Sequence, residues 1–576
     1  MSFWFFFRLT VNEIVSCIDE SDDDDFYSEI PILPPLLEGD VTDEDSGEED
    51  VVCVDNLPRN QLVAEVVLHP ESFDEEDDIP ISCFVPKKKA RTMNFSWKKK
   101  DLDETVTDFC YEACGLNPSS APLDLFLLFF DETLFEHITK YSNLYAQQHN
   151  LLADIQINEL KTFIGVLILS GYNSVSRRRM YWENEEDSQN ILISKSITRN
   201  RFDHIFRVLH CCDNTQLDPN DRYSKVRPLF HHLLQKFLLF APVVENYSVD
   251  EGMIPYFGRH PTKQFIRGKP IRWGYKFWVG TTPTGYIVWF EPYLGSRVSS
   301  TPKNKEHSLG TQVVLNFCHA LIGRGLNLSF HLFFDNFFSS LELFQEINAL
   351  KIRGTGTIRD NRLKNCSLRG SDKALKQKGR GAYSYELCSE LNAVVCKWND
   401  NNIVNMISNS VPVHPTNLVK RYSRAQKKEI SVSQPKLIRT YNKNMGGVDR
   451  SDQNIGLYRI AIRGKKWYYP LFAHCIDMAI SNAWQLHKHN KGTLDNLEFR
   501  RRIARSLLGT HGKHNRPRNV RPASAENVRY DQINHLIVEQ DKRTRCRLCH
   551  TQAANRCEKC GVALHVRCFK TYHTMP

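Results

Sequence analysis

Nowhere in the 576-residue sequence does an apolar run approach the roughly 18 residues that cross a bilayer, so no membrane partner is expected. The N-terminal run Phe3-Trp4-Phe5-Phe6-Phe7 stops at Arg8, too short for the apolar region of a signal peptide. Basic residues are almost missing from the start: residues 1–86 hold 24 Asp and Glu against only Arg8 and Arg59. Residues 19–50 hold fifteen acids and no Lys or Arg, with few side chains able to build a core. A disordered acidic tail is expected there, one that solvates the chain, binds a basic partner or shields the basic remainder. The cysteines also lack the even spread of a disulfide framework. Of 17, five fall between Cys546 and Cys568, and the others are scattered over more than 450 residues. That distribution suits a reducing compartment and a terminal metal module, and the protein is read as soluble and intracellular.

The net charge of +8 therefore conceals −22 in residues 1–86 and +30 in residues 87–576. A strongly basic folded part points to a polyanion such as nucleic acid as its partner. The sign flips at Lys87-Lys88-Lys89-Ala90-Arg91 and again at Lys98-Lys99-Lys100, clusters that read as a nuclear-import signal or as phosphate contacts, and the nucleus is the expected location. The chain is too long for one core, and three or four domains are expected.

From about residue 120 the periodicity is helical. Leu160, Phe163, Ile164 and Leu167 form one apolar stripe over residues 157–170, and Phe202, Ile205, Phe206 and Leu209 form another behind Thr198, a fitting N-cap. Between them, Arg177-Arg178-Arg179 precede Met180-Tyr181-Trp182, which reads either as a platform for stacking bases or sugar or as a solvated loop. Near residue 246 the texture changes. Residues 246–250 read as a strand, and residues 275–280 and 286–290 as a hairpin around Thr281-Thr282-Pro283-Thr284-Gly285. A helix over 310–321, a buried strand over 328–334, a helix over 339–350 and a strand over 353–358 complete a mixed α/β domain.

This order decides where acids collect. Asp250 lies in or at the end of the first strand, and Asp335 directly follows the fourth, at its carboxyl end, where sites gather in open α/β sheets. If those strands are neighbours, the two aspartates meet at one edge. That is the arrangement of the ribonuclease-H-like fold, whose third carboxylate comes from a later helix. Candidates for that place are Asp449 and Asp452, which follow Gly446-Gly447 and sit one helical turn apart. Such a pair needs a metal or basic side chains between its charges, unless it is simply a solvated helix start. Three or four acids suit phosphodiester cleavage and transfer, in which two Mg²⁺ ions about 4 Å apart stabilise attacking and leaving oxygens. Lys263, Arg267, Lys269, Arg272, Arg463, Lys465 and Lys466, with Trp273 and Trp467 beside them, are candidate contacts to the phosphates of double-stranded DNA.

The tail reads Cys546-x2-Cys549-x7-Cys557-x2-Cys560-x4-His565-x2-Cys568-x4-His573, seven ligand-type residues at zinc spacing. One or two zinc ions are expected, and so small a segment needs metal to fold. A cross-braced module pairs Cys546 and Cys549 with His565 and Cys568, leaving Cys557, Cys560 and His573; two tetrahedral sites need an eighth ligand, for which His550 or a water stands nearest.

Several stretches together resemble the piggyBac transposases and the host proteins derived from them. They are Val249-Asp250-Glu251 with Gly268-Lys269-Pro270 and Gly274-Tyr275-Lys276; Phe334-Asp335-Asn336-Phe337-Phe338-Ser339-Ser340; Gly354-Thr355-Gly356-Thr357-Ile358-Arg359; and Gly446-Gly447-Val448-Asp449-Arg450-Ser451-Asp452-Gln453. The resemblance runs from about residue 120 to the C-terminus. Behind the acidic tail (1–86) and basic linker (87–119) that the charges mark, it implies an α/β multidomain protein with a helical dimerisation and DNA-binding domain in two parts (120–245 and 456–540). A ribonuclease-H-like catalytic domain (246–361 and 433–455) is interrupted by an insertion (362–432), and a cysteine-rich zinc domain closes the chain (541–576). By resemblance the catalytic triad is Asp250, Asp335 and Asp449, with Asp452 as a further magnesium ligand. The implied activity is cut-and-paste DNA transposition at TTAA targets through hairpinned ends, by a homodimer acting on transposon ends. The alternative is a domesticated DNA- or chromatin-binding regulator without transposition. His565 stands where many relatives carry cysteine, a change zinc tolerates.

Overall fold

Helix-period stripes of apolar side chains build the first part of the chain. The computed structural model describes residues 9–10, 29–31, 65–66, 95–103, 120–266, 269–295, 307–326, 328–423, 426–511 and 535–574, in two units, Met1–Gly512 and Lys513–Pro576. Most of the acidic segment, the Lys87–Arg91 cluster and Arg267 lie outside these residues. In order come α1 (Pro122–Leu127), α2 (Glu132–Gln148), α3 (Ile157–Ser170), α4 (Ile191–Ser196), α5 (Arg199–Val208) and α6 (Arg227–Phe240). α5 starts where its sequence asks: the Thr198 hydroxyl accepts from the Arg201 amide at 3.3 Å, and Phe202, Ile205 and Val208 are buried.

The sheet follows as β1 (Asn246–Pro255), β2 (Lys263–Ile266), β3 (Trp273–Thr281) and β4 (Ile287–Pro292), then α7 (Leu309–Ile322), β5 (His331–Phe334), α8 (Leu341–Ala349) and β6 (Arg353–Thr357). β3 runs antiparallel to both β1 and β4, whereas β5 is parallel to β1 and β6 parallel to β5, giving the order β4-β3-β1-β5-β6. β5 is buried along all four residues, as a central parallel strand covered on both faces must be. Two elements differ from the sequence expectation. β5 is shorter than residues 328–334, and β2, which pairs with the first residues of β3 on one side and with Glu29–Pro31 on the other, is too short to register as a pattern.

After α9 (Asp372–Gln377), β7 (Tyr383–Cys388), β8 (Ala393–Asn399) and β9 (Ile403–Ser408) join the same sheet, because β9 pairs antiparallel with β6. β10 (Asn417–Ser423) and β11 (Lys428–Gln434) form a separate two-stranded ribbon. Then come α10 (Lys436–Asn444), α11 (Gly447–Leu457), α12 (Tyr469–His489) and α13 (Asn496–His511). One continuous apolar core joins the helices to the sheet, and a smaller one with Val394, Cys396, Trp398 and Met406 lies under β8 and β9. α12 is fixed to β4 by Asn482, whose amide accepts from Ile287 N at 2.7 Å and donates to Ile287 O at 2.8 Å, completing that edge as another strand would. A fully buried ion pair, Arg500 to Asp477 at 2.7 Å, holds α13 against α12.

The second unit contains β12 (Ile537–Arg545), β13 (Gln552–Cys557) and α14 (Val566–Thr574), with the two strands antiparallel. No helix among the described residues is long and apolar enough to cross a membrane.

Candidate functional site

β1 and β5 lie side by side in parallel, with Val249 opposite Phe334. The next residue on each is an aspartate, so Asp250 and Asp335 leave the paired region at the same edge. Asp335 accepts the Phe337 amide at 2.9 Å and Asp250 the Glu251 amide at 2.8 Å. The third contribution comes from α11, which begins after a break at Met445-Gly446 and carries Asp449 in its first turn. A glycine is required at 447: a Cβ there would lie 2.4 Å from Thr281 Oγ1 and Thr282 O and 2.5 Å from Ser248 Oγ, forcing α11 away from the sheet. One turn on, Asp452 reaches back to β1, its Oδ1 3.7 Å from where a Cβ on Gly252 would sit.

The electrostatics follow from gathering these acids out of water. Burial pushes the Asp250 carboxyl up to about 7, against the pull of Lys269 and with the charges of Asp335 and Glu251 adding to the rise. Asp335 is raised by burial and by Glu251, and Asp452 is pushed up to about 6 by burial, with Asp449 contributing. Burial lowers Lys269, but the charges of Asp250, Glu251, Asp449 and Asp452 more than restore it and hold the ammonium above its usual range. The Lys269 ammonium lies 3.6 Å from Glu251 Oε1, and Glu251 Oε2 meets the almost fully buried Lys276 at 3.3 Å. Tyr441 of α10 is raised by burial and by the charges of Asp335, Asp250 and Asp449, and its hydroxyl is hydrogen-bonded to Thr357. The donors are hard oxygens, and for Asp250, Asp335 and Asp452 burial disfavours the charged form, which fits a site for a doubly charged hard metal. They are gathered loosely, because among the described residues the clusters whose ligand atoms all lie within 4.8 Å of one another are in the C-terminal unit.

There, two groups of four form: Cys546, Cys549, His565 and Cys568; and His535, Cys557, Cys560 and His573. The pairing is the cross-brace expected, but the fourth member of the second group is His535 and not His550. His535, eleven residues ahead of Cys546, points Nδ1 at Cys557 and Cys560 Sγ, 3.4 and 3.3 Å away. His550 instead occupies a left-handed turn position, φ 59°, and belongs to neither group. Backbone amides, outweighing burial, bring the Cys546 thiol down to about 6, toward the thiolate a metal binds. Each group could hold a tetrahedral metal ion.

A family model described as Transposase IS4 matches residues 121–484. Human "PiggyBac transposable element-derived protein 3" is 41 % identical over 98 % of this chain and 99 % of its own length. The chain belongs to the piggyBac transposase family. Human "PiggyBac transposable element-derived protein 2" is 40 % identical over 97 % of this chain and 96 % of its own. A piggyBac transposase solved by cryo-EM in a synaptic complex with hairpin DNA shares the fold, with a TM-score of 0.58 over 78 % of this chain and 95 % of that one at 20 % identity.

In this piggyBac-family chain the basic residues picked out from sequence separate into groups. Arg272, Arg463 and Lys465 are exposed. Lys263 lies 5.1 Å over the Trp273 ring, its ammonium lowered by burial to about 8. Lys466 donates to Arg207 O at 2.6 Å and lies 5.0 Å over Tyr145, so it braces the helical layer. The stacking platform at 177–182 is not formed by its aromatics: Tyr181 is buried and donates to Asn173 O, and Trp182 donates to Ile197 O against the core. Sequence reading did not give Lys276, Tyr441 or His535 a role. Lys276 stands inside a quoted motif, and His535 lies just ahead of the window of paired cysteines; nothing in the sequence marks Tyr441.

Proposed function

We propose that this piggyBac-family protein is a DNA transposase that binds transposon ends and cuts and joins DNA strands at TTAA targets. The carrying observation is the convergence of Asp250 and Asp335, from adjacent parallel strands, with Asp449 and Asp452 from α11. The order β4-β3-β1-β5-β6 supports reading the sheet as ribonuclease-H-like, with residues 362–432 as an insertion. Asp250, Asp335 and Asp449 would hold two Mg²⁺ ions, and Asp452 would support them. Bound there, the ions would neutralise charge building on the attacking and leaving oxygens and favour deprotonation of the nucleophile. The chain's own part is to hold the acids at a partly desolvated edge, with Lys269 as their counter-charge and Arg272, Arg463 and Lys465 as exposed partners for phosphates. Two zinc ions in the C-terminal unit, a homodimeric assembly and a nuclear location complete the proposal.

In the decisive experiment, purified full-length protein with Mg²⁺ is incubated with a duplex carrying terminal inverted repeats flanked by TTAA. Nicking is expected, falling to background in Asp335→Asn; nicking that survives this change sinks the acid assignment. A second reading, a DNA-binding regulator without strand transfer, draws on kinship at 41 % and 40 % identity with human proteins named as element-derived. It predicts end binding that is equal in wild type and Asp335→Asn, with nicking in neither.

A further inference from the structure

β10 and β11 stand apart from the large sheet as a two-stranded ribbon, paired from Asn417↔Gln434 to Ser423↔Lys428. Seven residues at about 3.4 Å each make it roughly 24 Å long. One face of it is anchored along its length. Val432 is buried, the Trp398 indole donates to Ser433 O at 2.7 Å, and Arg380 donates to Tyr422 O at 3.0 Å. Asp400 holds Arg380 and Arg421 at 2.6 and 3.1 Å, so those two cations secure the ribbon.

Strand alternation puts the remaining side chains on the other face. There Leu418 is 76 % and Tyr422 60 % exposed, and Lys420 lies between them with its ammonium 3.8 Å from Glu429, a pairing too open and solvated to hold it. Toward the turn, Lys427 and Lys428 are exposed and make no ion pair among the described residues. Residues 417–434 hold five Lys and Arg against the single acid Glu429, and residues 362–434 hold thirteen against five.

Charge on an exposed ribbon has an ordinary explanation, since edge lysines discourage strand-to-strand aggregation. That explanation does not account for an exposed tyrosine and leucine on the same face, which promote the aggregation the lysines would prevent. A partner that wants both cations and flat apolar contact accounts for all three. The DNA major groove, about 12 Å wide and 8.5 Å deep, admits a two-stranded ribbon, offers thymine methyls to apolar side chains and is walled by phosphates.

We propose that the β10–β11 ribbon is a DNA-binding element of this protein, laying its Leu418, Lys420 and Tyr422 face in the major groove of duplex DNA with Lys427 and Lys428 on the flanking phosphates. The proposal rests on the DNA-handling reading above and adds a contact made by residues other than the acids and their basic neighbours.

The test compares full-length wild type with the triple variant Lys420→Gln, Lys427→Asn and Lys428→Gln. Asparagine is chosen at 427 because that residue has φ 49°, which asparagine tolerates. Binding to a 40-base-pair duplex is followed by fluorescence anisotropy from about 50 to 200 mM NaCl. Each lost phosphate contact should reduce the slope of log affinity against log salt by about 0.9, so a reduction of about 2 to 3 is expected. A photo-crosslinking amino acid at position 422 should link to the DNA, whereas the same probe at Leu239, 67 % exposed on α6, should not. An unchanged slope overturns the proposal, as does a crosslink at 422 to protein instead of DNA or to nothing. Wild type that fails to bind duplex overturns the transposase reading as well, which separates the two failures.

Discussion

Lys269 is a positive charge set among four acids, and Asp250 stays raised by burial even with the Lys269 charge pulling it down. Replacing Lys269 by methionine keeps the length of the side chain and removes the ammonium. For Lys269→Met the metal-free protein should lose about 1–3 kcal/mol, the scale of a charge-assisted contact in a partly buried site. Added Mg²⁺ should restore more stability to the variant than to wild type. Thermal melts in EDTA and in Mg²⁺ measure both effects; equal melting points for the two proteins in EDTA would refute this role. Asp250, Asp335, Asp449 and Asp452 were legible from strand order and from spacing on a helix. The Lys269 counter-charge and the Tyr441 hydroxyl were not, because each is brought within range of the acids' charges by a fold that no local pattern encodes.

Elements with a long, clean period were the most legible. α3 covers the expected 157–170, and the break at Met445-Gly446 precedes the acidic helix as the glycines suggest. β2 was not legible, because four residues are too few for an alternation to count. In the C-terminal unit, paired cysteines revealed the module, while His535 is bound to it only through the folding of β12 against β13. His535→Ala should therefore reduce bound zinc from two ions to one per chain, read by metal analysis of the purified protein. His550→Ala should leave it at two. A stoichiometry unchanged in His535→Ala would return the eighth place to water.

For the molecule as a whole, buried histidines make acid a threat. Burial first, and neighbouring cations second, lower His210 to about 2 and His474 to about 3. Burial likewise takes His260 to about 3. Unfolded histidine titrates near 6.5, so below that pH the unfolded chain binds protons that the folded one refuses. The associated stability is present above about 6.5 and lost as pH falls. Asp250 and Asp452, with raised values, act with the opposite sign, so the wild-type profile is a sum of both. His474→Leu isolates one term. Between pH 6.5 and 5, wild type should lose about 2 kcal/mol relative to the variant, at roughly 1.4 kcal/mol per pH unit. Urea unfolding at the two pH values checks this, and parallel profiles would refute it.

The three elements that carry the acids are far from equally spaced along the chain. Asp250 and Asp335 are made early, and 113 residues, including β6 to β11 and α10, separate Asp335 from Asp449. A ribosome that has finished the strands of the sheet has therefore finished a scaffold with two of its acids and no α11. Every product of a premature stop ahead of Gly447 lacks the last carboxylates, whatever else of it folds. Under the transposase reading, a protein able to cut chromosomes is thereby unable to do so in pieces, because its cutting centre is incomplete until α11 has been made.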